Sequence, residues 1–516
     1  MRLMSRVRFR SNFNQTAEVE PLACGVLIWC VIASGLMARI KVEMMERLET
    51  DYLVIGSGAV SMTFVDTMLQ EDDDARFIIV DRHHLPGGHW NDAYSFVRLH
   101  QPSAFYGVAS AALGSDRIDT AGSNKGFYEL ASGVEVLSYF DRVMREKLLA
   151  SGRVQYFPLH DYKGNKIFAS LLGEDVYRVD VKKCVVDGTF FNTSVPSMHE
   201  RKFAVDDGVK CVPPNALPGL ASKYKAYTIL GGGKTAMDAA VWLLDHGALP
   251  EELTWVCPRA SWLINRAGTQ PGKAFFKQTV GGIAKQFEAM QSASSTEDLF
   301  LRLEEAGQML RIDRDVTPTM FHYATISDGE VEQLARIEHV IHGERVVRLT
   351  GSGMALESGR HIEAATDTLY VDCTATAVVF TGDNKTKPVF EDGLITLQAV
   401  FAPLVTYSAA IIARIEGQFE DNTQKNALAT PVELADTPYE WMASTAQNMM
   451  NQNMWSETPE MRDWINTCRL NPAAAAIREA SMSDPENAAI MKRVQAAAVP
   501  AVMNMYKLMS EGQSDA

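Results

Sequence analysis

Two glycine turns, each set between a short apolar strand and a helical run, constrain this chain more than any other feature. The first reads Tyr52-Leu53-Val54-Ile55, then Gly56-Ser57-Gly58-Ala59-Val60-Ser61, then a helical pattern through Phe64, Val65, Met68 and Leu69. The second reads Tyr227-Thr228-Ile229-Leu230, then Gly231-Gly232-Gly233-Lys234-Thr235-Ala236, then Met237, Ala240, Val241, Leu243 and Leu244. A sharp strand-to-helix turn leaves the helix N-terminus facing outward, with unpaired N–H groups and a dipole that favours an anion. Glycine permits the turn and lets the backbone approach a pyrophosphate closely. One such corner is ordinary; two in one chain predict a pair of dinucleotide-binding units.

Detail around each turn sharpens that expectation. Beyond the first, the apolar strand Phe77-Ile78-Ile79-Val80 ends in Asp81, near the separation of about 20 residues at which a dinucleotide fold places its ribose-binding acid. The third glycine of the fingerprint is replaced by Ser61, small enough to keep helix and strand close. The Gly-Lys-Thr of the second turn suggests a P-loop, but that motif needs glycine at position 228, where this chain has Thr228. The strand after it, Leu253 to Cys257, ends in Pro258-Arg259 with no acid. A cation there suits a 2′-phosphate, hence NADPH over NADH, with a solvated surface charge as the alternative.

Composition excludes several classes. The 516 residues carry 49 Lys+Arg against 64 Asp+Glu, a formal charge of −15, and 47% of them are hydrophobic. This is globular composition, long enough for two or three domains, and its acidic balance argues against a nucleic-acid partner. Seven cysteines are scattered without a CxxC spacing, so reduced structural thiols in a cytoplasmic setting are expected, with neither a metal site nor a dithiol redox pair. The uncharged run from Pro21 to Ala38 is flanked by arginines and Lys41. Three readings of residues 1–44 stay open: an extension outside the working protein, a membrane anchor through 21–38, or a cleaved signal.

Elsewhere, strand-like pieces stand at Val154 to Phe157 and Val176 to Val181. An alternating pattern at 336–340, 345–349 and 365–372 predicts an antiparallel meander. The last of these, Thr368-Leu369-Tyr370-Val371-Asp372, is expected to return the chain to the first unit's sheet. From Pro431 the chain turns Ala- and Met-rich, with Trp441, Trp455 and Trp464, which predicts a helical segment whose Met and Trp serve packing.

Taken together, Gly56-x-Gly58-x-x-Ser61, Asp81-Arg82 with Pro86-Gly87-Gly88-His89-Trp90, Gly231-x-Gly233-x-x-Ala236 and Asp372-Cys373-Thr374-Ala375-Thr376 resemble the flavin-containing monooxygenase-like FAD/NAD(P)-binding oxidoreductases over roughly 50–420. The resemblance implies an α/β fold of two Rossmann-like dinucleotide-binding domains, of the three-layer ββα type, with a helical C-terminal segment. It divides the chain into 45–215 as the first part of an FAD-binding domain, 216–330 as an NAD(P)H-binding domain, 331–425 as the second part of the FAD domain and 426–516 as the helical segment. FAD would be held by Gly56, Gly58, Ala59, Ser61, Asp81, Arg82, Gly88, His89, Trp90, Gln101 and Thr376, with Trp90 near the flavin ring. NADPH would be held by Gly231, Gly233, Lys234, Thr235 and Arg259, with Asn265 and Arg266 as a further clamp. His100 and Gln101 would lie beside the flavin or the oxygen.

The implied activity is oxygenation of a small organic substrate by NADPH and O2. Departures from the family are Ser61, the missing glycine after Ala375-Thr376, and a stretch around His199 that keeps the histidine of the monooxygenase signature but not its glycine. Two further readings stand beside it: an FAD-dependent dehydrogenase or oxidase without oxygen insertion, and a membrane-attached flavoprotein or redox-binding module.

Overall fold

The computed structural model describes residues 45–191, 193–376 and 386–512, so the run from Pro21 to Ala38 lies outside the described residues. Along the chain, β1 (Glu46–Ile55), α1 (Ala59–Glu71) and β2 (Phe77–Val80) form the first corner, and a long loop segment leads to α2 (Gly133–Val143) and β3 (Val154–Phe157). A hairpin, His160–Gly164 with Ile167–Ser170, precedes β4 (Val176–Asp187). Next come β5 (Cys211–Val212), β6 (Ala226–Leu230), α3 (Lys234–Asp245), β7 (Leu253–Cys257), β8 (Ser261–Asn265) and α4 (Phe276–Ser292). They are followed by β9 (Met320–Ile326), α5 (Asp328–Leu334), β10 (His339–His342), β11 (Thr368–Asp372) and β12 (Leu394–Thr396). Helices α6 (Val405–Gln418), α7 (Pro438–Glu457) and α8 (Pro485–Gly512) dominate the remainder.

The first sheet runs β12-β4-β1-β2-β3, every neighbour parallel, with Tyr52 opposite Phe77 and Ile55 opposite Val80. Strands covered on both faces read as unbroken apolar runs, which is why 52–54 and 77–80 lack alternation. Tyr52, Val54, Phe77 and Ile79 face α1 and α6, whereas Leu53, Ile78 and Val80 face Phe168 of the hairpin. The second sheet, β10-β7-β6-β11-β5, is again parallel. On one side of it Tyr227 and Ile229 pack on α3, and on the other Leu230, Val256 and Tyr370 meet Leu349, Met354 and Leu356 of a meander. Each unit is therefore a three-layer ββα sandwich, as expected.

Two expectations about this region are corrected. The antiparallel meander consists of Val346–Thr350, Gly353–Leu356 and His361–Glu363, while the flanking segments 339–342 and 368–372 are parallel strands of the second sheet. Thr368 to Asp372 therefore does not return to the first sheet. It lies beside β6, buried at all five positions, and β12 makes the return by pairing with β4. Apolar runs identify strands but not their partners, and a fully buried run marks a central parallel strand rather than a solvent-facing one.

The C-terminal segment is helical, and Trp441 and Trp455 are core residues. Arg469, between its helices, donates to the carbonyls of Ala104, Tyr106 and Val108, tying the segment to the loop beyond the first corner.

Candidate functional site

At the first corner Gly56 has φ +88°, a conformation that favours glycine, and α1 opens on Gly58 with no side-chain cap. Its first-turn N–H groups thus face outward without a side-chain partner from their own cap. The Ser61 substitution has a tertiary answer. Ser61 is fully buried, and a Cβ at Gly188, just past β4, would overlap the Ser61 hydroxyl while lying 2.9 Å from the Ile55 carbonyl oxygen. The glycine missing from position 61 is in effect supplied across the sheet by Gly188. No motif spacing pointed to it.

Asp81 sits where the spacing placed it, but both carboxylate oxygens are already engaged. Oδ2 accepts from the Ser57 N–H and hydroxyl, and Oδ1 accepts from the His83 N–H and Nδ1. A carboxylate offers about four lone-pair sites, so a ribose hydroxyl reaches Asp81 only by displacing one of these donors. Burial pushes the Asp81 carboxyl up, yet the hydrogen bonds from His83 and Ser57 outweigh it and hold the group below its usual value.

The His83 imidazole lies 2.9 Å from Asp81 Oδ1 at one nitrogen and 2.9 Å from Asp92 Oδ2 at the other. The Asp81 hydrogen bond above all, with Asp92 beside it, raises its pKa to about 9 against the cost of burial. Because the folded value lies above the unfolded 6.5, this bridge stabilises fully below about pH 6.5 and fades as pH rises through 9. His83→Ala is expected to lower stability by about 1–3 kcal/mol near pH 6. The gap to the parent should narrow toward pH 10 in a series of thermal melts.

The Gly87-Gly88-His89-Trp90 step folds back over the corner. Gly87 donates to the Ser57 carbonyl at 2.9 Å, and a Cβ at Gly88 (φ +58°) would stand 3.1 Å from Gly58 Cα, so backbone meets backbone there. Trp90 is buried, its indole N–H given to the Tyr106 hydroxyl at 2.8 Å; it anchors the loop in the core instead of presenting an open face. His89 is exposed and stacks on it, Arg82 is exposed beside Asp161, and Gln101 is half-buried.

From there the loop segment crosses to the second unit. Tyr94 donates its hydroxyl to Asp238 of α3 at 2.7 Å. Arg266, 1% exposed, donates to the His100 carbonyl, to Asn124 and to the Thr325 carbonyl, and its Nη1 lies 2.6 Å from Glu330 Oε2. Lys234 pairs with Asp238 and, at 3.2 Å, with Glu330. Burial pushes Glu330 up, but Lys234 and Arg266 overcome it and bring its pKa down to about 2. His100 accepts the Thr325 N–H on Nδ1 at 3.0 Å, which leaves its proton on Nε2. Burial, reinforced by the nearby Lys234 and Arg266 cations, lowers its pKa to about 3, so it is a neutral donor at physiological pH. The expected NADPH clamp at Arg266 is corrected: a guanidinium with all its partners inside the protein is a strut. Glu330 and Asp238 were missed, although Ser327-x-x-Glu330 is a readable capping box and Asp238 stands one turn from Lys234.

The second corner repeats the geometry of the first. α3 opens on Gly233, again without a side-chain cap, and the space before Gly233 is open. Gly231 (φ +124°) approaches the Cys373 carbonyl so closely that a Cβ would stand 2.6 Å away. Both turns follow strands at which the sheet order reverses, the crevice where doubly wound sheets bind ligands. Lys234 points its ammonium into the inter-unit cluster, away from any role at the turn, and Thr235 is half-buried beside it. The Arg259 backbone adjoins Gly232, but its guanidinium forms a two-pronged pair with Asp436 at 2.7 and 3.1 Å, shared with His322. A 2′-phosphate would compete with that carboxylate. Thr376, four residues beyond Asp372, is exposed and distant from the first corner along the chain. His199 is a structural contact, 3.2 Å from Asp372 at the edge of a cavity of about 500 Å³ that Arg201 and Phe203 also line.

Among the described residues no helix is long and apolar enough to cross a membrane. No protein-family profile matches the chain. Among solved structures it is similar to a flavin-containing monooxygenase from Stenotrophomonas maltophilia, at 15% identity over 71% of this chain and 98% of that one, TM-score 0.41. It is also similar to a cyclohexanone monooxygenase (13%, 91% and 98%, TM-score 0.43) and to the bacillithiol disulfide reductase of Staphylococcus aureus (13%, 69% and 90%, TM-score 0.41). Likeness at this level does not assign an activity. In sequence it is 44% identical over 424 residues to the uncharacterized proteins Rv2000 of Mycobacterium tuberculosis and Mb2023 of Mycobacterium bovis, covering 82% of this chain and 78% of theirs. The chain belongs to the family of these mycobacterial proteins.

Proposed function

We propose that this chain is an FAD-dependent oxidoreductase that draws electrons from NADPH and acts as a monooxygenase on a small organic substrate. The observation that carries the reading is the pair of uncapped helix N-termini, at Gly58 and Gly233, each at the reversal point of a parallel sheet. The glycine cradle of Gly56, Gly58 and Gly88 suits the FAD pyrophosphate, since Gly58 and Gly88 meet backbone to backbone and a Cβ at Gly88 would stand 3.1 Å from Gly58 Cα. Gly231, Gly233 and Thr235 suit the pyrophosphate of NADPH in the same way. Bound FAD supplies hydride acceptance from NADPH and, once reduced, the activation of O2. The protein's own residues hold and orient. Asp81 braces the first turn through Ser57 and His83, Arg266 and Glu330 fix one unit against the other, and His100, its Nδ1 taken by the Thr325 N–H, keeps a neutral N–H on Nε2.

The test is the visible spectrum of the purified protein, recorded before and after NADPH without oxygen. A flavin band that bleaches with NADPH supports the reading, and oxygen consumed one for one with an oxygenated product assigns monooxygenation. Uptake of O2 with matching hydrogen peroxide and no product would leave a flavin oxidase, and protein that cannot take up FAD would remove the proposal.

A further inference from the structure

Arg259 is fixed by its backbone but exchangeable at its side chain. It stands two residues beyond β7, and its carbonyl oxygen lies so near Gly232 that a Cβ there would stand 2.7 Å away, which holds Arg259 at the lip of the second corner. In a dinucleotide fold the end of this strand is where an acid reads the ribose 2′-hydroxyl or an arginine the 2′-phosphate. The first unit has Asp81 directly after its strand; the second has Pro258 and then Arg259.

What the guanidinium holds is a carboxylate from the other end of the chain. Nη1 and Nη2 donate to the two oxygens of Asp436, and His322, on β9, bonds the oxygen that Nη2 reaches. Burial pushes the Asp436 carboxyl up, but the hydrogen bonds from Arg259 and His322 bring it below its usual value, so it is ionised. Arginine takes a carboxylate and a phosphate with the same fork geometry. Asp436 belongs to the C-terminal segment: its carbonyl accepts the Phe321 N–H, and its own N–H goes to the Glu440 carboxylate in the first turn of α7.

Exposure separates this pair from a strut. The side chains of Arg259, Asp436 and His322 are 37%, 29% and 27% exposed, against 1% for Arg266. A solvated ion pair contributes little to stability, and a phosphate monoester carries about −1.5 to −2 charges at pH 7 where Asp436 carries one, so a ligand phosphate replaces Asp436 at small cost. We propose that Asp436 is an in-chain competitor for the 2′-phosphate of NADPH at Arg259 and His322, so that NADPH and the Asp436 end of the C-terminal segment take this contact by turns. The proposal rests on the NADPH reading above. It makes Asp436 a specificity-determining residue, which lowers affinity for the 2′-phosphorylated nucleotide and leaves the unphosphorylated one untouched. Coupling is reciprocal, so a 2′-phosphate at Arg259 also loosens the start of α7.

Isothermal titration of the full chain with adenosine 2′,5′-bisphosphate and with adenosine 5′-phosphate tests this apart from any turnover. Asp436→Asn should tighten binding of the bisphosphate about tenfold, inside the roughly 5–150-fold span of such couplings, and leave the 5′-phosphate unchanged. Arg259→Gln should abolish the preference for the bisphosphate and, in the double variant, the gain from Asp436→Asn. Matched circular dichroism melts show that the variants fold. Hydrogen exchange on the unsubstituted chain is an independent readout: the Asp436 and Thr437 amides, both given to Glu440, should exchange faster with the bisphosphate and not with the 5′-phosphate. Tightening of both nucleotides alike would reflect only the loss of a nearby negative charge and overturns the proposal. An Asp436→Asn protein that binds the bisphosphate as the parent does overturns it equally, since the pair is then a surface contact alone. A chain that binds neither nucleotide, parent and variants alike, removes the NADPH reading itself, which keeps the two failures apart.

Discussion

Replacing Glu330 by glutamine is expected to destabilise the protein by about 3–5 kcal/mol, the range for breaking a buried ion pair and leaving a cation uncompensated. Two cations, Lys234 and Arg266, and two carboxylates, Asp238 and Glu330, balance in the network between the units. Arg266 is 1% exposed and cannot turn to water when its carboxylate is removed. The measurement is the urea midpoint of the variant, together with Glu330→Gln/Lys234→Met, which restores one charge of each sign. The double variant should recover a substantial part of the loss. A double variant no better than the sum of its parts would show that hydrogen-bond geometry, rather than charge balance, carries the network. The acid dependence follows from the same residues. Glu330 is depressed to about 2, so its contribution is complete above its ordinary value of 4.5 and disappears only as pH falls through 2. The junction between the units is expected to hold at pH 5, and an acid limb in activity above that pH must come from elsewhere.

The second large effect is expected at Gly188. Gly188→Ala should cost about 1–3 kcal/mol through overpacking, since the added methyl meets the Ser61 hydroxyl and the Ile55 carbonyl together. It should also lower FAD content under the reading proposed above, because Ser61 lies in the first turn of α1. Ser61→Gly in the same chain should return part of both losses by removing one of the two obstacles. Ser61→Gly alone is expected to be neutral to stabilising by up to about 2 kcal/mol: its buried hydroxyl has no hydrogen-bond partner among the described residues, and relief of about 1–3 kcal/mol from that orphan is set against about 1 kcal/mol for glycine within a helix. Thermal midpoints and the ratio of flavin to protein absorbance read both effects. A Gly188→Ala protein indistinguishable from the parent would mean that β4 and α1 move apart freely, and that Ser61 imposes no constraint on the corner.

What the sequence determined by itself is local. The apolar runs at 52–55 and 227–230, the glycines that follow them, the position of Asp81 and the helical character of the last residues were all legible, because each depends on neighbours within a turn or a strand. Strand partners were not. Thr368 to Asp372 reads equally well beside either sheet, and only the burial of all five residues between β6 and β5 places it in the second. The same holds for the side chains assigned to ligands. Arg259 finds Asp436 177 residues away, Lys234 finds Glu330 96 residues away, and Ser61 is made possible by a glycine just past the end of β4. Long-range pairing of charges follows from which surfaces are pressed together and deprived of water. A motif specifies how its own backbone turns, and the tertiary structure decides whether its side chains remain available to a ligand or are taken up in holding the fold together.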